Sequence, residues 1–303
     1  MSIYTEPSLL TQHSHDDTQG PVPLWFHGLL AVIIFSLTAP FTVLALEAFT
    51  PGFIAAMRAF IAGVGSIFVV WWFKWPIPKP KELAWLAVGG AAMVFVFPYS
   101  MAVTLQHWQA SETGIFLAGI PFFTALVAAS LFKEKTSKQF WLSMTFGTQL
   151  LILFAYSQSS GVIPLHSIVL LVSAGLGYAI GGHVAKRLGG FQTICWMMVL
   201  YFPLSVFTFG YTSLENAENF SGDHLVGILA LLYLAVMSQW IGFHFWFGSM
   251  TKIGIAKTGQ LQLLQPFFTL LFAVLFLGSV LTWVQVTFAI LVTLSVIMLR
   301  KST

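Results

Sequence analysis

Ten apolar runs fill most of this chain, and a run of about 20 such residues is what a helix needs to cross hydrocarbon. They are Leu24 to Leu46, Phe53 to Phe73, Leu83 to Leu105, Thr113 to Phe132, Phe140 to Tyr156, Ile163 to Val184, Thr193 to Tyr211, Leu225 to Gly248, Ile255 to Leu277 and Leu281 to Leu299. Only 8% of the residues are charged, against roughly a quarter in a soluble domain. The chain therefore reads as an all-α membrane protein of ten transmembrane helices with the lipid bilayer as its solvent.

The stretch Pro121-Phe122-Phe123-Thr124 returns 145 residues later as Pro266-Phe267-Phe268-Thr269. Thr113 and Gly114 recur at the same offset as Thr258 and Gly259, Leu126 as Leu271, and Ala128 as Ala273. The expected division is a first five-helix repeat over residues 24–160 and a second over 161–299, with the boundary near Gly161. Five is odd, so the second copy must be inverted in the membrane, the architecture of many secondary transporters.

Positive charge supports the same count, because short cytoplasmic loops collect Lys and Arg. If the helices simply alternate, Lys74, Lys79, Lys81, Lys133, Lys135, Lys138, Lys186, Arg187, Lys252, Lys257, Arg300 and Lys301 all fall on one side. Glu47, Glu112, Glu215, Glu218 and Asp223 fall on the other, with Arg58 as the basic exception. Both termini are then cytoplasmic, in a multi-pass protein of the cell inner membrane. Residues 1–23 are polar, lack the pattern of a cleaved leader, and read as a disordered cytoplasmic tail. Cys195 is the only cysteine, so no internal disulfide is possible. The net charge of +3 follows from loop bias and gives no support for nucleic-acid binding.

Helix breakers inside spans mark the candidate functional region. Pro121 and Pro266 cannot donate to the carbonyls four residues back, so those of Leu117 and Gln262 are expected to be free to accept from a substrate ammonium, unless the kinks are closed by packing and water. Pro40 joins these two as a candidate hinge or helix break, and Pro98 and Pro203 repeat the theme. Thr258, Gln262, Gln265 and Thr269 share one helical face. Their counterparts are Thr113, Leu117, Ile120 and Thr124, so the amides exist only in the second copy. That asymmetry favours a substrate-facing stripe over interhelical glue. In the eighth run Tyr233, Met237, Trp240, His244 and Phe247 advance by four and three, which reads either as a cavity wall or as packing. Gln239 adds a polar neighbour, and His244 is a candidate because burying an ionisable group is costly. Tyr99 and Tyr178 are further candidates for the site. Glu47 and Arg58, across the Pro51-Gly52 turn, form a possible outer gate, a static pair, or an arginine snorkelling to the interface. Small residues at 173, 177 and 181 read as a close-packing seam.

No run carries a carboxylate at its centre, which disfavours pumping of lipophilic cations. No HExxH or GxSxG pattern occurs, and no cofactor, metal or catalytic residue is expected.

Two five-helix halves, each with a Thr-Gly and Pro-Phe-Phe-Thr helix followed by a final span, resemble the drug/metabolite transporter superfamily and its EamA-type exporters. Within these the chain is most similar to the bacterial aromatic amino acid exporters. The glutamate that often follows this helix in the family is matched by Glu134, whereas the second copy reads Gly278-Ser279 and lacks it. The resemblance implies a secondary transporter exporting amino acids, aromatic or large neutral, by alternating access. Amides would meet a zwitterion's ends and an aromatic wall its side chain. Export of drugs or other small metabolites is the alternative within transport; a membrane-embedded enzyme or scaffold is the alternative outside it.

Overall fold

The computed structural model describes residues 25–133, 137–158, 164–216 and 224–297. The tail over 1–23, the boundary at Gly161, and Glu134, Glu218 and Asp223 lie outside them. Among the described residues the fold is all helix. We label Phe26–Leu46 α1, Pro51–Trp72 α2, Pro80–Leu105 α3, Ala110–Phe132 α4, Lys138–Gln158 α5, Leu165–Leu188 α6, Gly190–Glu215 α7 and Leu225–Ile253 α8. Helix α9 runs from Ile255–Leu261 through a short turn into Gln265–Leu277, and α10 is Trp283–Ile297. Seven of these, all but α5, α9 and α10, are long and apolar enough to cross a membrane. The apolar stretches of α5 and α9 are the shorter Thr145–Phe154 and Gln262–Leu277.

Local signals explain where the helices start. Pro51 opens α2 behind Thr50, whose hydroxyl accepts from the Phe53 amide. At the heads of α3 and α4 the carboxylates of Glu82 and Glu112 reach back to the amides of Lys79 and Gln109, at 3.0 and 2.9 Å. Two helix joints, α6 to α7 and α8 to α9, turn on Gly189 and Gly254, with φ near +88° and ψ near 156°. Only glycine occupies that region without strain.

Five helices are irregular in their middles. Helix α1 is interrupted at Leu37, three residues before Pro40. A π-helical segment, Ala91–Val96, precedes Pro98 in α3, and another, Leu234–Ile241, lies in α8. Tight 3₁₀ turns, Leu117–Gly119 and Gln262–Leu264, precede Pro121 in α4 and Pro266 in α9. The two 3₁₀ turns are 145 residues apart, and so are the left-handed residues Lys133 and Gly278 that end the two helices. Shifting Ala91–Val96 by the same offset lands it inside Leu234–Ile241. The repeat visible in the sequence is thus also a repeat of backbone geometry.

Helix α6 is the most enclosed rod, and glycines let its neighbours in. A Cβ at Gly177 would meet Met93 of α3, one at Gly181 would meet Phe247 of α8, and one at Gly175 would meet the Phe123 backbone of α4. Close backbone approach of this kind replaces the hydrophobic drive that helices lack in lipid. The seam expected at 173, 177 and 181 is accordingly a packing surface. Helices α5 and α10 pack on the flank of α4 and α9 through Phe154, Ile115, Leu270 and Ala289.

Gly175→Ala is expected to lower stability by about 1–3 kcal/mol, because the contact is with backbone that must shift. Gly210→Ala meets nothing within 4 Å and should be neutral or gain up to about 1 kcal/mol from helix propensity. Thermal unfolding of the two purified variants in detergent measures the difference.

Candidate functional site

All five irregular segments converge on one enclosed cavity. Its wall is made by Phe35 and Thr38 of α1, Phe97 and Met101 of α3, Leu117 and Ile120 of α4, Ser238 and Phe243 of α8, and Gln265 of α9, with Tyr178 supplied by the regular helix α6. The room for the centre of a water-sized sphere is about 10 Å³, the scale of a single water. A site for a small organic molecule usually needs about 300 Å³ or more, so this arrangement is closed around its centre.

The carbonyls freed by proline are re-paired, which corrects the expectation that two of them stand open. Tightening to 3₁₀ geometry brings the Ile120 amide onto Leu117 O and the Gln265 amide onto Gln262 O. At Pro40 the freed carbonyl is that of Ser36, which accepts from the Thr269 hydroxyl at 3.2 Å, while the Ser36 hydroxyl donates to Gln265 O at 3.3 Å. These two bonds tie the break in α1 to α9. In α3 the widened register carries the Phe97 amide to Ala92 O. The next residue, Pro98, has no amide for Met93 O, and that carbonyl accepts from Gln239 Nε2 at 3.1 Å.

Gln239 is one member of a buried polar chain. Its Oε1 accepts from Arg58 Nη2 at 3.0 Å, and the same nitrogen reaches Ser238 Oγ at 3.2 Å. Ser238 Oγ in turn shares a 2.8 Å hydrogen bond with Thr38 Oγ1 on the cavity wall. Arg58 is 0% exposed, and its Nε and Nη1 find no partner among the described residues. Glu47 is exposed and the two do not pair. The helix direction brings Arg58 inward, towards α8. The end of α2, where a gate was one of three readings, is held by Asn216, whose Oδ1 accepts from the Thr50 amide at 3.0 Å.

The amides predicted to face a substrate do come together. Gln262 Nε2 donates to Gln265 Oε1 at 3.2 Å, both side chains are buried, and Gln262 Oε1 has no hydrogen-bond donor among the described residues. Gln265 lines the cavity, and so do Leu117 and Ile120, the counterparts of the two amides at the 145-residue offset. Tyr178 also lines the cavity. With Phe35, Phe243 and Trp246 it forms a four-ring cluster, with centroids 5.3 Å apart for Tyr178 and Trp246 and 4.9 Å for Phe35 and Phe243.

Other candidates sit elsewhere. Tyr99 is 52% exposed, since Phe97 and Met101 take the inward face of α3. Trp240 donates to Cys195 Sγ at 3.4 Å and packs over Gly65, between α2 and α7. His244 lies beside Phe191 and Phe245 and contributes nothing to the cavity wall. The Tyr233-to-Phe247 stripe fails as one face because the π segment alters the angle between successive residues. The buried face of α8 carries Ser238, Gln239, Gly242, Phe243 and Trp246. Phe35, Thr38, Ser238, Phe243 and Trp246 escaped the sequence reading; their one usable signal is proximity to a proline break or to the matching segment in the other half.

Residues 24–155 and again 165–301 match the EamA-like transporter family. A protein of Bacillus subtilis (strain 168) named "Uncharacterized transporter YdeK" is 35% identical over 283 residues, covering 91% of this chain and 96% of its own. A "Probable amino-acid metabolite efflux pump" of Salmonella typhimurium is 23% identical over 281 residues, covering 88% of this chain and 91% of its own. A solved crystal structure overlays 92% of this chain and 99% of its own with a TM-score of 0.57 at 16% identity, a likeness of fold. Two matches that nearly tile the sequence, and a multi-pass helical body built to fit them, make this chain a member of the EamA-like transporter family.

Proposed function

We propose that the protein exports amino acids, aromatic or other large neutral ones, by alternating access around the central cavity. Ten crossings in two inverted repeats, 24–160 and 161–299, with cytoplasmic termini in the inner membrane, complete this reading. The observation that carries it is the composition of the closed cavity. A ring cluster suited to an apolar side chain lies beside an amide pair and two hydroxyls suited to a polar head, at the point where the breakable segments of five helices meet. The name of the Salmonella relative points the same way. The hinges would be the breaks before Pro40, Pro121 and Pro266. Export of a drug or another small metabolite is the second reading. The lack of a carboxylate on the cavity wall argues against lipophilic cations within it.

Counterflow in proteoliposomes preloaded with unlabelled Trp, Phe, Tyr, Met, Thr or a lipophilic cation tests this. Labelled aromatic amino acid should accumulate and the cation should not; a protein that exchanges only the cation or none of the panel defeats the reading. Gln265→Leu should raise the half-saturation concentration about tenfold, the worth of one hydrogen bond to a polar head, whereas Trp240→Phe should leave it within about twofold.

Stability separates the polar groups that serve the fold from those that serve the solute. Gln239→Leu strands both Arg58 and Met93 O and should cost about 3 kcal/mol. Gln262→Leu strands one neutral acceptor, Gln265 Oε1, but also removes an amide oxygen that is unpaired in the closed state, and should cost about 1 kcal/mol, yet it should impair counterflow. Thermal unfolding and counterflow on the same preparations check both.

A further inference from the structure

Arg58 is a full positive charge with no side-chain surface open to solvent. Of the four carboxylates among the described residues, Glu82 and Glu112 cap their own helices and Glu47 and Glu215 are exposed. Among the described residues the guanidinium is therefore met by dipoles alone: Ser238 Oγ and Gln239 Oε1, both on the single nitrogen Nη2. Burying a charge without a counter-charge costs several kcal/mol, and arginine's planar fork is shaped for two oxygens of one carboxylate. Two of its three nitrogens are left over here. The hydroxyl of Ser238 stands between the guanidinium and the cavity and is shared with Thr38, so one layer of polar side chain separates the charge from the solute space.

We propose that Arg58 binds the carboxylate of the transported solute, which accepts from the guanidinium fork and the Ser238 hydroxyl when the cavity opens to admit it. This rests on the central cavity being the solute site and adds the chemistry of one end of the solute: it must be anionic. The amide pair on α9 then falls to the other polar group, and the four-ring cluster to the side chain. A position that from sequence offered a gate, a static pair or a snorkelling arginine becomes the specificity-determining residue of the site.

The test uses the full-length protein in detergent, with ligand-dependent thermal protection by L-phenylalanine and by L-phenylalaninamide, which differ at the carboxylate. Wild type should respond to phenylalanine at a concentration about tenfold or more below the amide. The gap should close in Arg58→Gln and narrow in Arg58→Lys, which keeps the charge without the fork. Should Arg58→Gln fail to fold, Ser238→Val leaves the arginine in place and should shrink the same gap. Equal protection by acid and amide overturns the proposal while leaving amino acid export standing. Arg58-dependent protection by sodium chloride, with none by phenylalanine or by methionine, also overturns it by making the residue an inorganic ion site. Protection is read without any transport step, so silent counterflow defeats the export reading separately.

Discussion

In hydrocarbon there is no bulk water to re-pair a carbonyl that loses its helical donor, so a partner must be found inside the protein. The interior of this molecule is arranged around that requirement. Each proline on the cavity side releases one acceptor, and each release is answered from within the protein. A 3₁₀ turn recaptures the carbonyls of Leu117 and Gln262, a threonine on α9 reaches that of Ser36, and a glutamine on α8 reaches that of Met93. The first two solutions are local and leave the helix self-contained. The other two are cross-links, and they set which helices touch at the centre.

The cross-links also explain the polarity of so apolar a core. Gln239 is present because α3 has an acceptor to satisfy, and its other end holds Arg58; Ser238 then connects the guanidinium to Thr38. A network running through α2, α3, α8 and α1 thus begins from one missing amide at Pro98. Close packing along α6, permitted by its glycines, presses the ring cluster against this network and leaves room for little more than one water.

Much of this was legible in the sequence, and the failures have physical causes. Helical class and the duplicated Pro-Phe-Phe-Thr helix follow from apolar length and a repeated motif, and the asymmetric amides were found because a repeat supplies its own control. The inward face of α8 was misread because spacing arguments assume one helical pitch, and no proline in α8 announces the wider one. Only its counterpart in α3, which does contain Pro98, hinted at it. Arg58 was misplaced because sequence gives its depth in a helix but not its azimuth, and a nearby Glu47 made the wrong partner plausible. The open carbonyls were an error of accounting: a tightened turn satisfies them at no cost in contacts.

The two copies of the proline-broken helix share their backbone irregularities down to the left-handed residue at the end, yet differ in the side chains at matching positions beside the cavity: Leu117 and Ile120 on its wall in one, and in the other Gln265 on the wall with Gln262 bonded behind it. Under the proposed function, shape and recognition are therefore written in separate parts of the molecule. The same turn forms with leucine and isoleucine in one copy and with two glutamines in the other, so if the α9 amides read the solute they can change without disturbing the backbone. The prolines have no such freedom. A lineage descended from this chain would diversify its cargo one side chain at a time in the second half, while the bend that carries those side chains stayed the same in both.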